Sequence, residues 1–347
     1  MKNIFPLLTI SLSFLSLLIV NKSLAMEEFY PENLIQLDPI FNHHVIIAEK
    51  STHQMHLFEY EEGYPRLVKS YDMATGKVKG DKQFSGDHKT PEGIYTIRNF
   101  IPRDKLLKRY GKEGEIYGVG AFTLDYPNSI DLMNKKTGGG IWLHSTNDES
   151  RISKGLDSRG CVVVANNHLK EVSSYLEMNK TTFIIVDKIS YLKKELWLKE
   201  RLSIKTQLKT WLESWKKEDL NKYISHYSKS NFYSRFKGGY KKYKKYKKSV
   251  FWQKGSPDIQ ISQMSIFKHK DYLRIRFIQD YRSSRIKDTG LKTLYMKKNN
   301  NYEWKIVREI WNKHNFSFDK LKYRANSTFR PSMRFFTKNE TTGNYNE

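Results

Sequence analysis

Between residues 44 and 97 the apolar positions come in short runs and alternations cut by turn residues. His44-Val45-Ile46-Ile47-Ala48-Glu49 is a nearly continuous apolar run, and Gln54-Met55-His56-Leu57-Phe58-Glu59-Tyr60 follows the polar turn Lys50-Ser51-Thr52. Glu61-Glu62-Gly63 marks a hairpin before Arg66-Leu67-Val68-Lys69-Ser70-Tyr71, and Thr90-Pro91-Glu92-Gly93 punctuates the entry to Ile94-Tyr95-Thr96-Ile97. Further strands are predicted near 117–124, 141–144 and 183–187, with one helix over 167–178. Many strands and few helices predict an α+β domain on a mixed or antiparallel sheet, not alternating β-α units.

The period changes in the second half. Leu208, Trp211, Leu212, Trp215, Leu220, Tyr223, Ile224 and Tyr227 recur mostly three or four apart, which predicts amphipathic helix with a break near Glu218-Asp219. Strands are predicted over 259–267, 273–281, 293–297 and 304–311. At the N-terminus, Lys2 precedes an apolar stretch from Ile4 to Val20, and Ser23 and Ala25 are small residues placed for signal peptidase. Seventeen apolar-biased residues interrupted by Pro6 are short for a membrane span, so cleavage after Ala25 is expected in preference to a retained anchor. The chain thus divides into a signal peptide (1–25), an N-terminal linker (26–42), a first domain (43–190), a connecting helix or linker (191–206), a second domain (207–320) and a disordered tail (321–347).

Charge separates the two domains. Residues 41–190 are nearly balanced, whereas 191–347 hold 38 Lys+Arg against 14 Asp+Glu and account for the whole formal charge of +24. Such a field attracts anionic polymers or membrane surfaces. Export argues against nucleic acid, leaving an anionic wall polymer or glycan as the expected partner of the basic domain. The run from Tyr240 to Lys248, with tyrosine every third residue, is either a stacking and charge patch or a solvated basic helix whose tyrosines cover the core.

Cys161 is the single cysteine, in Ser158-Arg159-Gly160-Cys161-Val162-Val163-Val164, and His144 lies upstream in Ile141-Trp142-Leu143-His144-Ser145-Thr146. A lone thiol in an exported chain has no disulfide to make. A Gly-Cys pair opening an apolar strand, with a strand-borne histidine, reads as nucleophile and base, with His144 returning its proton to the leaving amine. The backbone N–H groups of Gly160 and Cys161 are expected to face the oxyanion, and glycine lets the backbone approach the substrate. A papain-type order, cysteine before histidine, is absent. His43, His44, His53 and His56 lack metal-ligand spacing, so no metal and no other cofactor is expected.

The segment Gly80-Asp81-Lys82-Gln83-Phe84-Ser85-Gly86-Asp87-His88-Lys89-Thr90-Pro91-Glu92-Gly93-Ile94-Tyr95, with His144-Ser145-Thr146 and Ser158-Arg159-Gly160-Cys161, resembles the L,D-transpeptidase catalytic domain (YkuD) family over residues 43–188. That resemblance implies a β-rich sandwich acting on peptidoglycan stem peptides in the bacterial envelope, the periplasm here. It also implies that the backbone carbonyl of Ser145 orients His144, with Arg159, Ser158 and Trp142 on the substrate side. Arg159 would pair with the terminal carboxylate of a stem peptide, or it is a solvated surface arginine. Many family members carry His where Arg159 stands and Arg where Val163 stands; the departure is more similar to helical-cell-shape L,D-carboxypeptidases. Trp211 to Leu220 and Trp304 to Glu309 resemble the opening helix and last strand of a nuclear transport factor two-like (NTF2-like) α+β cone, a domain that the same carboxypeptidases carry. Hydrolysis to tripeptide is therefore expected, with L,D cross-linking or protein attachment, or a non-catalytic wall scaffold, as the other readings.

Overall fold

A computed structural model describes residues 27–40, 42–254, 257–313 and 334–336. The expected signal peptide lies outside the described residues. The chain opens with two short strands, β1 (Phe29–Pro31) and β2 (Leu34–Gln36). The catalytic-domain strands follow as β3 (His44–Glu49), β4 (Gln54–Glu61), β5 (Tyr64–Gly76) and β6 (Gly93–Pro102). After helix α1 (Arg103–Tyr110) and a 3-10 turn over Gly111–Tyr117 come β7 (Gly120–Leu124), α2 (Ser129–Met133) and β8 (Trp142–His144). Then come α3 (Ser150–Ser153), β9 (Leu156–Ser158), β10 (Val162–Val164), α4 (Asn166–Ser173) and β11 (Thr182–Val186).

Nine strands form one mixed sheet in the order β10-β8-β7-β6-β11-β3-β4-β5-β9, and β10 also pairs with β5. That extra pairing closes the mixed sheet of this α+β domain into a barrel, where the family resemblance implied a sandwich. Register separates the two faces of each strand. Ile46, Ala48, Tyr95, Ile97, Phe183 and Ile185 fill the barrel, while Val45, Ile47, Ile94, Ile184 and Val186 face Phe267, Tyr272, Tyr295 and Val307 of the second domain. Burial on both faces explains why β3 and β11 read as continuous apolar runs and not as alternations.

The second domain begins as β12 (Tyr191–Lys193) leads directly into α5 (Lys194–Lys216), followed by α6 (Leu220–Ser225). The predicted break is real: Glu218 has φ +52°, and Asp219 caps α6 by accepting from the Lys222 N–H at 3.0 Å. A small hairpin, β13 (Tyr233–Ser234) and β14 (Gly238–Gly239), precedes α7 (Tyr240–Lys254). Four long strands then form a meander: β15 (Asp258–His269), β16 (Tyr272–Arg282), β17 (Lys287–Lys298) and β18 (Trp304–Lys313). The three helices cover one face, burying Leu208, Trp211, Trp215, Tyr223, Tyr227, Tyr243 and Phe251 against Ile259, Leu273, Ile275, Phe277 and Leu294.

β16 is buried on both faces, and its outward residues lock the domains together. Arg274 donates to the Ile94 carbonyl (3.2 Å), Thr96 Oγ1 (3.0 Å) and Thr182 Oγ1 (2.7 Å). Arg276 donates to the carbonyls of Lys180 and Asn179, and the Tyr272 hydroxyl accepts from the Ile94 N–H at 2.8 Å. Glu92 holds Lys50 of its own domain at 2.8 Å and Lys270 of the other at 2.6 Å.

Three expectations are corrected. The 26–42 segment is not a linker: β1 pairs with β12, and β2 joins β15 as the edge strand of the second domain's sheet. In the tail, Arg334, Phe335 and Phe336 are ordered on the catalytic domain; the two rings pack 5.3 and 5.2 Å from Phe100, and Arg334 lies 3.6 Å from Glu177. The rest of the predicted tail lies outside the described residues. The helix expected over 167–178 spans only Asn166–Ser173, since the N–H groups of Ser174, Tyr175 and Leu176 bond three residues back and tighten the chain into turns.

Candidate active site

β8 and β10 run parallel, with Val162 opposite Leu143 and Val163 opposite His144. That register sets Cys161, just before β10, at the barrel rim beside Trp142. Ser158 shapes the turn between them: it is buried, donates to the Cys161 carbonyl at 2.6 Å and accepts from the Gly160 N–H at 3.0 Å. Gly160 has φ +125°, and a Cβ there would stand 2.8 Å from the Lys89 carbonyl oxygen. Conformation and space therefore both require glycine.

His144 is 3% exposed, and its Nδ1 lies 2.5 Å from the Ser145 carbonyl. A carbonyl can only accept, so Nδ1 carries the proton and Nε2 keeps its lone pair. Burial lowers the His144 pKa to about 4, despite the favourable bond to Ser145. Cys161 is half-buried, and its thiol donates to the Gly140 carbonyl at 3.4 Å. Burial pushes the thiol up to about 11; the Trp142 backbone N–H and the charges of Arg159, Arg151 and Lys82 pull the other way. The resting site therefore holds a neutral thiol and a neutral imidazole.

The remaining predicted site residues divide clearly. Ser145 does present its carbonyl to His144. Trp142 is half-buried, with its ring 5.0 Å from Tyr117. Arg159 is exposed, with no hydrogen bond or ion pair among the described residues. Ser158 does not face the substrate side, since both capacities of its hydroxyl serve the turn. The Gly160 N–H is likewise spent on Ser158, so of the two expected oxyanion donors only the Cys161 N–H makes no hydrogen bond among the described residues.

Sequence reasoning missed the groups that brace the histidine. The Tyr117 ring meets the His144 ring edge-on at 5.0 Å. Ser145 Oγ accepts from the Val119 N–H at 2.8 Å. Asn166 Oδ1 accepts from the same N–H, while Asn166 Nδ2 donates to the Thr146 carbonyl at 2.9 Å. Arg151 donates to Asp157 at 2.5 Å and to Thr146 Oγ1 at 3.1 Å. The one visible signal was Gly118, φ +57°, where a Cβ would come within 2.5 Å of Ser145 Oγ, Asn166 Oδ1 and the Thr146 nitrogen.

The Gly80–Tyr95 segment is the braced wall behind the nucleophile. Lys82 is buried on Asp87 at 2.6 Å, Asp81 accepts from the Glu92 N–H at 2.8 Å, and Thr90 Oγ1 accepts from the Gly76 N–H at 2.8 Å. Its Lys89 carbonyl is the atom that excludes a side chain at position 160. Among the described residues no group of His, Cys, Asp and Glu is arranged to hold a metal ion.

A histidine ending one strand and a Gly-Cys turn opening the neighbouring parallel strand of a closed barrel fit a cysteine acyl-transfer domain. The L,D-transpeptidase catalytic domain (YkuD) profile matches residues 43–186, and the Cds6 C-terminal NTF2-like domain profile matches 203–310. The structure of Bdellovibrio bacteriovorus Bd1075 is similar at 30% identity and TM-score 0.73, covering 84% of this chain and 100% of that one. The helical cell shape determining protein Pgp2 of Campylobacter jejuni is similar at 27% identity and TM-score 0.64, covering 80% of this chain and 95% of that one. No curated protein matches. The chain belongs to the YkuD L,D-transpeptidase family, in the form that carries a C-terminal NTF2-like domain. The family's chemistry is cysteine-based, of the L,D-transpeptidase or carboxypeptidase type, with peptidoglycan as its substrate. No helix among the described residues is long and apolar enough to cross a membrane.

Proposed function

We propose that this chain is exported to the periplasm on a cleaved signal peptide and acts there as an L,D-carboxypeptidase, trimming stem tetrapeptides to tripeptides. The observation that carries the mechanism is the His144 tautomer: Nδ1–H is committed to Ser145, so Nε2 is free to take a proton. Cys161 Sγ attacks the carbonyl between the L-centre of the third residue and the terminal D-alanine, and its proton passes to His144 Nε2. The C–S bond forms, and the Cys161 N–H faces the developing oxyanion. Collapse breaks the C–N bond, His144 protonates the departing amine, and a thioester remains. Water, deprotonated by His144, then releases tripeptide and regenerates the thiol.

Arg159 would receive the terminal carboxylate of the stem, consistent with its exposed and unpaired guanidinium. The Arg159 and Val163 departures, together with the NTF2-like domain, favour water over an amine acceptor. An anionic wall polymer or glycan would lie along an open groove of about 670 Å³ in the basic domain, whose lining holds Lys199, Lys222, Lys298 and Lys305 against Glu200 and Glu303. Purified protein incubated with tetrapeptide muropeptides should yield tripeptides by mass analysis, and Cys161→Ala should not. Appearance of L,D-linked dimers in place of tripeptides would replace hydrolysis with transpeptidation. Undiminished trimming by Cys161→Ala would sink the mechanism.

A further inference from the structure

The Lys-rich helix α7 has two unlike sides. Tyr243, Lys247 and Phe251 are buried toward the domain, with the Lys247 ammonium 4.7 Å from the Trp215 ring centre and 4.9 Å from that of Tyr223. Lys241, Lys245, Lys248 and Trp252 are spaced i, i+4, i+7 and i+11, so they share one stripe of the helix, and all four are exposed. Trp252 is 87% exposed and makes no ring contact among the described residues. None of the three lysines has an acidic partner among the described residues. The surrounding chain offers none in sequence either: between Asp219 and Asp258 there are eleven Lys+Arg and no Asp or Glu. Phe236, 84% exposed, lies in the hairpin just before the helix, with Arg235 over its ring.

We infer that the outer stripe of α7 docks on an anionic lipid surface, with Trp252 seated among the headgroups and the lysines on the lipid phosphates. The charge is complementary, and lysine stems reach headgroup oxygens while an amphipathic indole settles at the interface. Shape separates this from the wall polymer proposed for the groove. The fifteen-residue helix presents its convex side over about 22 Å, so its cations and the indole meet a flat array of charges together. A single polymer strand would follow a concave track. The inference is independent of the trimming reaction, which uses no residue of α7.

The test is co-sedimentation of the full chain with vesicles of mixed phosphatidylglycerol and phosphatidylcholine, against phosphatidylcholine alone and against purified peptidoglycan sacculi. Binding to the mixed vesicles but not to phosphatidylcholine is expected. Sacculi, which the catalytic domain and the groove engage, should bind the native chain and the α7 variants alike. Replacing Lys241, Lys245 and Lys248 together by Gln should weaken it on the order of 100-fold, since each lysine near an anionic surface contributes about a factor of five. Trp252→Ala should weaken it roughly tenfold and abolish the blue shift of tryptophan emission on binding. Melting curves check folding, because all four side chains are outside the core. Equal binding to phosphatidylcholine, unchanged vesicle binding by the triple variant, or loss of sacculus binding in that variant would each overturn the inference.

Discussion

Alkylation of Cys161 by iodoacetamide as a function of pH tests the electrostatic state of the site directly. Burial raises the thiol from its ordinary 9.0 to about 11. At pH 7.5 the thiolate fraction then falls from about 3% to about 0.03%, a hundredfold loss. A more basic thiolate is also more nucleophilic, and a Brønsted slope near 0.5 over two pKa units returns about tenfold. The free enzyme should therefore alkylate about tenfold more slowly than an ordinary thiol at pH 7.5, with a rate that climbs steadily toward pH 11. Turnover behaves differently, because His144 Nε2 takes the proton during attack and needs no standing thiolate. With His144 lowered to about 4, the base is available above that pH, and kcat/KM should fall only as the pH drops through about 4. The unfolded chain protonates its histidine near 6.5, so His144 also withdraws stability as pH falls from 6.5 toward 4. A plateau of alkylation between pH 5 and 9 would reveal a preformed thiolate–imidazolium pair and refute the reasoning.

Gly160→Ala should lower turnover more than 100-fold and cost about 1–3 kcal/mol of stability, since its φ of +125° and the Lys89 carbonyl both oppose a Cβ; turnover and melting close to wild type would show that the turn can relax. Asn166→Ala removes the amide that joins the Thr146 carbonyl to the Val119 N–H, so kcat should fall about 10- to 100-fold with KM little changed. Steady-state kinetics on tetrapeptide would show that split, and a rise in KM alone would assign Asn166 to substrate binding instead. Arg274→Met strips the donor from three buried acceptors at the domain interface and should cost about 3 kcal/mol. Denaturant unfolding reads that loss, and an unchanged midpoint would mean that the interface does not depend on Arg274.

The sequence alone determined the local facts. Strand cores such as β3 and β11, the break at Glu218-Asp219, and the order of His144 before Gly160-Cys161 were legible because each is set by neighbours a few residues away. Ser145 entered through the family resemblance, and its carbonyl stands where that resemblance put it. Tertiary structure decided whatever depends on distant pairings. Closure of the barrel needed the β5–β10 contact, and β2 became a strand of the second domain only because β15 offers it an edge. Ser158 and Gly160 looked like substrate-facing groups, yet the turn uses the Ser158 hydroxyl and the Gly160 N–H on each other. The protonation state of the nucleophile was beyond sequence for the same reason: burial at the rim lifts Cys161 and lowers His144, and burial is a property of everything packed around them.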